Sequence, residues 1–122
     1  MSEHRSLNQL RGEKFIYLTT TGRITHNPHR VELWFAVVDG KVYLSHEGRE
    51  TDWMRNIRKD FNVSFEIGGM GFAGEARCLR SDDSEATKAK LALYTKYYGK
   101  AEEKTIEDWF SLSTMIVINA KT

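Results

Sequence analysis

The sequence predicts a mainly β fold: a small antiparallel barrel, Greek-key or split, with helices at its periphery. Short segments alternate apolar and polar residues along most of the 122-residue chain. Tight-turn residues join several of them. No crossover helices separate the strands in a βαβ rhythm, which argues against a doubly wound sheet. Pro28 is the only proline, and no repeat or low-complexity tract divides residues 1–122, so a single domain is expected.

Residues 15–20 (FIYLTT) are β-branched and aromatic with alternation, a strand that the turn TGR ends. A loop follows from Ile24 to His29. Residues 30–38 (RVELWFAVV) read as one strand, with Val31, Leu33, Phe35 and Val37 on one face and Trp34, Ala36 and Val38 on the other. A strand apolar on both faces must be covered on both, and a second copy of the chain is the expected cover: a homodimer. Asp39-Gly40 is a type I′ hairpin signal leading into a strand at 41–46. Trp53, Ile57 and Phe61 recur at spacings of four, which predicts a short amphipathic helix over 51–59. Residues 62–67 (NVSFEI) alternate again. A glycine-rich turn then leads to a strand at 72–80 (FAGEARCLR). Ser81 or Asp82 is the expected cap of a helix over 84–97, stopped by Gly99. A short helix at 102–110 and a buried strand at 114–120 complete a count of six strands.

Composition narrows the function classes. With 40% hydrophobic and 29% charged residues the chain is not of the disordered type. A net charge of +1 gives no electrostatic reason to expect nucleic acid or a membrane surface as partner. The first fourteen residues are too polar for a signal peptide, and no apolar run is long enough to span a bilayer. Cys78 stands alone, so no disulfide or CxxC pair is available, and a cytoplasmic location is expected.

Several motifs carry little. Residues 69–74 match GxGxxG, but that fingerprint needs a helix after it, and the following residues alternate like a strand. Among His26, His29 and His46, the first two straddle Pro28 at a chelating spacing, but their loop holds no carboxylate to complete a metal shell, so no metal is expected. Cys78 fits a small buried hydrophobe, and no GxSxG elbow is present, so no side-chain nucleophile is assigned. Asp82-Asp83 and Glu102-Glu103 suit helix starts, and Lys88, Lys90, Lys96 and Lys100 read as a solvated helix face.

The informative feature is a local charge anomaly. Residues 20–30 hold Arg23, His26, His29 and Arg30 and no acid, and residues 49–59 hold Arg49, Arg55, Arg58 and Lys59 against Glu50 and Asp52. Ser45 and Gly48 lie beside Arg49 at a strand-to-helix junction. Hydroxyl, backbone amides and guanidinium together are the chemistry of a phosphate pocket.

At these residues the sequence resembles the flavin and deazaflavin oxidoreductases of the split β-barrel superfamily. The similar stretches are LTTTGR at 18–23, HRVELWF at 29–35, DGKVYLSHEG at 39–48 and WMRNI at 53–57. TTTGR and the W-x-x-N-[IL] helix resemble the deazaflavin-dependent nitroreductase and quinone-reductase branch. The order GEAR, acidic cap, helix, KYYG is similar to the pyridoxamine 5′-phosphate oxidase-like branch, many of whose members bind FMN. The resemblance implies a six-stranded split barrel of the FMN-binding type. It places Arg30 and Leu33 on the strand lining the cofactor, and Ser45, His46, Gly48 and Arg49 around its phosphate. Trp53 would lie against the cofactor and Arg23 near its tail or phosphate. Ile24 stands where a lysine is common in the deazaflavin branch, and Leu33 replaces a frequent proline. The implied activity is reduction of a small electron-poor substrate, a quinone or nitro compound, with coenzyme F420 or alternatively FMN performing the hydride chemistry. The alternatives are a pyridoxamine-phosphate-oxidase-like protein and a noncatalytic flavin- or haem-binding module.

Overall fold

The computed structural model describes residues 7–47, 51–80, 82–99 and 113–121. Seven strands form one antiparallel sheet: β1 (Ile16–Thr21), β2 (Pro28–Leu33), β3 (Ala36–Val38), β4 (Lys41–Glu47), β5 (Asn62–Ile67), β6 (Met70–Cys78) and β7 (Ser113–Ala120). Helix α1 (Asp52–Lys59) joins β4 to β5, and α2 (Ser84–Tyr98) follows β6. The spatial order is β2-β1-β5-β6-β7-β4-β3, curled into the half-barrel expected of a split barrel. The last strand of the chain lies between β6 and β4, which closes the sheet in the middle.

Alternation sets the two faces. Ile16, Leu18, Val42, Leu44, Val63, Phe65, Ile116 and Ile118 turn inward and meet Trp53, Met54 and Ile57 from α1 in the main core. On the other side of β3, β4 and β7, α2 covers Ala36, Tyr43, Met115 and Val117 with Ala86, Ala89 and Leu93. Two hairpin turns use left-handed backbone: Asp39-Gly40 (φ 53° and 75°) and Gly68-Gly69 (φ 58° and 82°). The glycines of 69–74 therefore serve a hairpin, with the β6 ladder running directly from Met70.

The segment 30–38 departs from its sequence reading. It is two strands, β2 and β3, broken at Trp34 and Phe35 and placed at opposite edges of the sheet. Here α2 takes over the work of the ladder. The Phe35 N–H donates to the Tyr97 hydroxyl at 2.9 Å, and the Phe35 carbonyl accepts from Lys96 Nζ at 3.0 Å. Both backbone groups are thus satisfied by side chains, so the strand can end without orphaned polar atoms. Trp34 stacks on Tyr97 with ring centroids 4.2 Å apart. Ala36 and Val38 pack under α2, while Phe35, with Val31, Leu33 and Val37 against it, belongs to the main core. Both faces are covered within one chain, so the two-sided pattern does not require a second copy.

Other corrections are local. Asp83 caps α2, its carboxylate accepting from the Glu85 N–H at 2.9 Å, whereas Ser81 or Asp82 was expected. Gly99 ends α2 as expected. Phe61 lies beyond the end of α1 and is 53% exposed, outside the stripe of Trp53 and Ile57. The lysines of α2 are not one solvated face. Lys88 is exposed, but Lys90, two residues and about 200° further round the helix, is only 6% exposed. Lys96 lies 3.6 Å over the Phe35 ring, and burial pulls its pKa down to about 8 against the opposing influence of Glu13. The predicted helix at 102–110 and Lys100 lie outside the described residues. No helix among the described residues is long and apolar enough to cross a membrane.

Candidate functional site

The strongest clustering of sequence-selected residues is where the 22–27 loop meets α1. The loop closes on itself through two backbone bonds, Gly22 N–H to Asn27 O and His26 N–H to Gly22 O, both 2.8 Å. A Cβ on Gly22 would stand 3.0 Å from the Asn27 carbonyl oxygen, so the turn is tight enough to favour glycine. His26 takes φ 64° within it. The loop aims Arg23 at α1. Its guanidinium pairs with Asp52 at 3.1 Å and donates to Asn56 Oδ1 at 3.0 Å, while its backbone N–H donates to the same oxygen at 3.1 Å. Asn56, 2% exposed, completes the knot by donating from Nδ2 to Thr20 Oγ1 at 3.0 Å. The turn after β1, the helix α1 and the buried end of β1 are thereby locked together.

His46 and Trp53 lie inside, their ring centroids 5.9 Å apart, His46 on the core-facing side of β4 and Trp53 on the buried side of α1. Ser45 is half-buried on the opposite face of β4, on the side of Tyr43 and Met115. Gly48 and Arg49, which the sequence places next, lie outside the described residues.

Arg30 and Leu33 part company for the same reason of parity: residues three apart on a strand face opposite ways. Leu33 is opposite Ile16 and packs against the main core. Arg30 stands on the outer face, its guanidinium 4.7 Å over the Tyr17 ring and 3.8 Å from Glu66. It borders a shallow groove across β2, β1, β5 and β6. One part, about 330 Å³, is lined by Thr19, Thr21, His26, Asn62, Ser64 and Lys121 among others. A smaller part, about 170 Å³, shares Thr19 and Ser64 and reaches Tyr17, Arg30, Glu66 and Phe72. Small and hydroxylated residues face each other across the strands here, Thr19 opposite Ser64 and Ser64 opposite Ala73. That leaves an open floor rich in hydrogen-bonding groups, with Arg30 and Lys121 at its rim and Glu66 the only acid lining it among the described residues.

The structure thus brings Arg23, His46 and Trp53 to the α1 corner and puts Arg30 on the adjoining outer groove. Asn56 and Thr20 are the residues the sequence reading did not select. The signal for Asn56 was its position three after Trp53 and one before Ile57, a polar side chain in the buried stripe of an amphipathic helix. His26, His29 and His46 are not gathered, and no group of three metal-ligating side chains occurs among the described residues.

The fold is that of the split-barrel proteins to which flavin and deazaflavin oxidoreductases belong. The sequence pattern of the F420H(2)-dependent quinone reductases matches residues 2–108, and the chain belongs to that family. Among solved structures it is similar to a conserved hypothetical protein from Mycobacterium tuberculosis, at 22% identity and TM-score 0.79, covering 100% of this chain and 82% of that one. An F420-H2 dependent reductase is similar at 21% identity and TM-score 0.70, covering 86% and 93%. The haem storage protein HutZ of Vibrio cholerae shares the fold at 13% identity and TM-score 0.72, covering 100% and 91%. No curated protein matches the sequence significantly.

Proposed function

We propose that the protein is a cytoplasmic F420H2-dependent oxidoreductase that reduces a small electron-poor substrate, a quinone or nitro compound. The family match over residues 2–108 carries this reading. The chain's own residues fit a phosphate-bearing, polyhydroxylated cofactor. Arg23 is preset by Asp52 and Asn56, so little side-chain entropy is lost when its exposed edge meets an anion. Thr19, Thr21 and Ser64 offer hydroxyls along the groove, and Arg30 and Lys121 offset negative charge at its rim. The assigned cofactor residues are Arg23, Arg30, Leu33, Ser45, His46, Gly48, Arg49 and Trp53. Leu33, His46 and Trp53 act from the core side, as packing that holds the strands and α1 in register. A bound cofactor would supply the hydride chemistry, and the groove residues would hold its phosphate and hydroxyl groups. F420 is favoured over FMN because its acidic tail extends past the phosphate, and the acid-free loop of Arg23, His26, His29 and Arg30 suits such a tail.

The experiment is titration of the apoprotein with F420 and with FMN at two salt concentrations, followed by turnover of F420H2 with menadione. Tighter F420 binding, weakened more by salt, is expected. Micromolar FMN binding without F420 binding overturns the reading. Binding without turnover of any acceptor assigns a carrier instead. The edge of β2, paired only with β1 among the described residues, supports a homodimer by strand or face pairing, and light scattering tests it.

A further inference from the structure

A second groove, unrelated to the cofactor reading, runs between the edge strand β3 and α2. Its volume is about 410 Å³, and Ala36, Val37 and Val38 from the strand with Leu91 and Ala92 from the helix make most of its wall apolar. Two lysines of α2 also line it, Lys88 and Lys96, roughly two helical turns apart. Their settings differ. Lys88 is exposed, whereas Lys96 is half-buried near the end of the helix. Its Nζ lies 3.6 Å over the Phe35 ring and donates to the Phe35 carbonyl at 3.0 Å.

Burial lowers the Lys96 pKa to about 8, although Glu13 pulls the other way. The other titratable groups around it are Tyr97, whose ring centroid is 5.2 Å from Nζ, and Arg11, which lines the groove towards a cavity that reaches Asp39. Strand β3 brings only apolar side chains. At pH 7.5 roughly a quarter of the Lys96 side chains are therefore neutral amines, against about one in a thousand for an unperturbed lysine. A neutral amine keeps the bond to the Phe35 carbonyl, because it still has two N–H donors. It also gains a lone pair, which a carbonyl oxygen cannot engage. Such a lysine is a nucleophile at neutral pH.

The walls set the partner. Charges near the groove are mixed, since Lys88 also borders a pocket with Asp39 and Glu85, so they select no ionic ligand. The apolar wall does favour a neutral chain, which gains from leaving water. We propose that Lys96 is a covalent attachment site for apolar aldehydes, whose chains lie along Val37, Leu91 and Ala92 while Nζ forms an imine with the carbonyl carbon. The Nζ lone pair adds to that carbon, and the carbonyl electron pair moves to oxygen. Transfer of the two amine protons to this oxygen releases it as water and leaves a C=N double bond. Nothing is oxidised or reduced, so the aldehyde is the only co-reactant and the step is reversible.

The probes are hexanal and the polar glycolaldehyde, each added to the full chain with cyanoborohydride. Reduction turns the imine into a stable secondary amine, which peptide mass mapping locates. With hexanal at pH 7.5, Lys96 is expected to label about tenfold or more faster than Lys88 in the same groove. That ratio should shrink steadily towards about pH 10, as the Lys96 advantage in neutral amine is lost. Glycolaldehyde should show a smaller preference for Lys96. Leu91 is 52% exposed, so Leu91→Ser is tolerated by the fold, which circular dichroism checks. It should slow hexanal labelling of Lys96 several-fold and leave glycolaldehyde labelling unchanged. Lys96 labelling no faster than that of Lys88 overturns the proposal. A preference equal for the two aldehydes, or untouched by Leu91→Ser, shows a reactive amine without a binding groove and also overturns it.

Discussion

Asn56→Ala tests whether the α1 corner holds the fold as its geometry requires. The substitution removes three hydrogen bonds at once: from the Arg23 guanidinium, from the Arg23 N–H and to Thr20 Oγ1. A bond to a charged group contributes roughly 1.5–3 kcal/mol and a neutral one roughly 1 kcal/mol, an upper sum of about 3–5 kcal/mol. Arg23 keeps Asp52 and is 26% exposed, so water recovers part of its loss. Thr20 and position 56 are each 2% exposed, and water reaches neither without disrupting the core. The expected cost is about 3 kcal/mol. With a urea slope of about 1.5 kcal/mol/M for a chain this size, the unfolding midpoint should fall by about 2 M. Tryptophan fluorescence follows the transition. Thr20→Val alone should cost less, and the double variant should show a coupling of about 1 kcal/mol, since one bond is shared. Asn56→Asp retains an acceptor for Arg23 and should recover much of the loss at neutral pH. A midpoint shift under about 0.5 M for Asn56→Ala would refute the argument that this knot locks loop, strand and helix together.

The remaining expectations are separable from that one. Lys96, with its pKa lowered from 10.5 to about 8 in the fold, binds its proton less tightly folded than unfolded, so it makes stability rise between about pH 8 and 10.5. Lys96→Met should flatten that rise, read between pH 8 and 9.5. Tyr43, whose pKa is raised by burial and the neighbouring Glu85, acts in the opposite direction only above pH 10. Glu85 accepts from Tyr43 at 2.7 Å and Arg77 at 3.0 Å, which lowers its pKa, so its contribution is present above about 4.5 and lost on acidification. Glu85→Gln should cost roughly 1–2 kcal/mol at pH 7 and little at pH 3, by thermal melts at both. Gly74→Ala should destabilise by roughly 1–3 kcal/mol, because a Cβ there meets the Asn119 carbonyl oxygen and Ile118 Cγ2 at 2.8 Å. Gly71→Ala, with open space, should not. Arg49→Ala should weaken cofactor binding by roughly 2–4 kcal/mol, with Lys88→Gln, exposed on α2, as the neutral control.

Much of the architecture was legible because period-two patterns and turn dipeptides report local geometry. The strand at 62–67, the Asp39-Gly40 turn and the Gly99 stop of α2 follow from those signals. The break at Trp34 and Phe35 did not, because nothing local ends that strand. Its alternation runs on through 38, and only Lys96 and Tyr97, more than 60 residues away, make stopping there inexpensive. The apolar residues on both faces were real evidence of two covers, but sequence could not say that α2 of the same chain supplies one of them. Burial of Lys90 was hidden for a related reason: helical phase, not residue type, puts it on the buried side of α2 next to Ala89.

The site was half legible on the same principle. Residue type and proximity in sequence selected Arg23 and Ser45, the family resemblance added His46 and Trp53, and the loop and helix do bring Arg23, His46 and Trp53 towards one corner. Strand parity then separates Ser45 from His46 and Arg30 from Leu33, a constraint that applies to any pair of residues one or three apart on a strand. A ligand in the outer groove meets Arg30 directly but reaches Leu33 only through the sheet. Arg30→Ala should therefore weaken cofactor binding and its salt dependence without moving stability, whereas Leu33→Ala should lower stability and leave the salt dependence intact. Chemical denaturation and cofactor titration at two salt concentrations, run on both variants, measure the two effects independently. Equal changes in binding salt dependence for both would mean that the cofactor lies on the core side of β2, and the outer groove would lose its assignment.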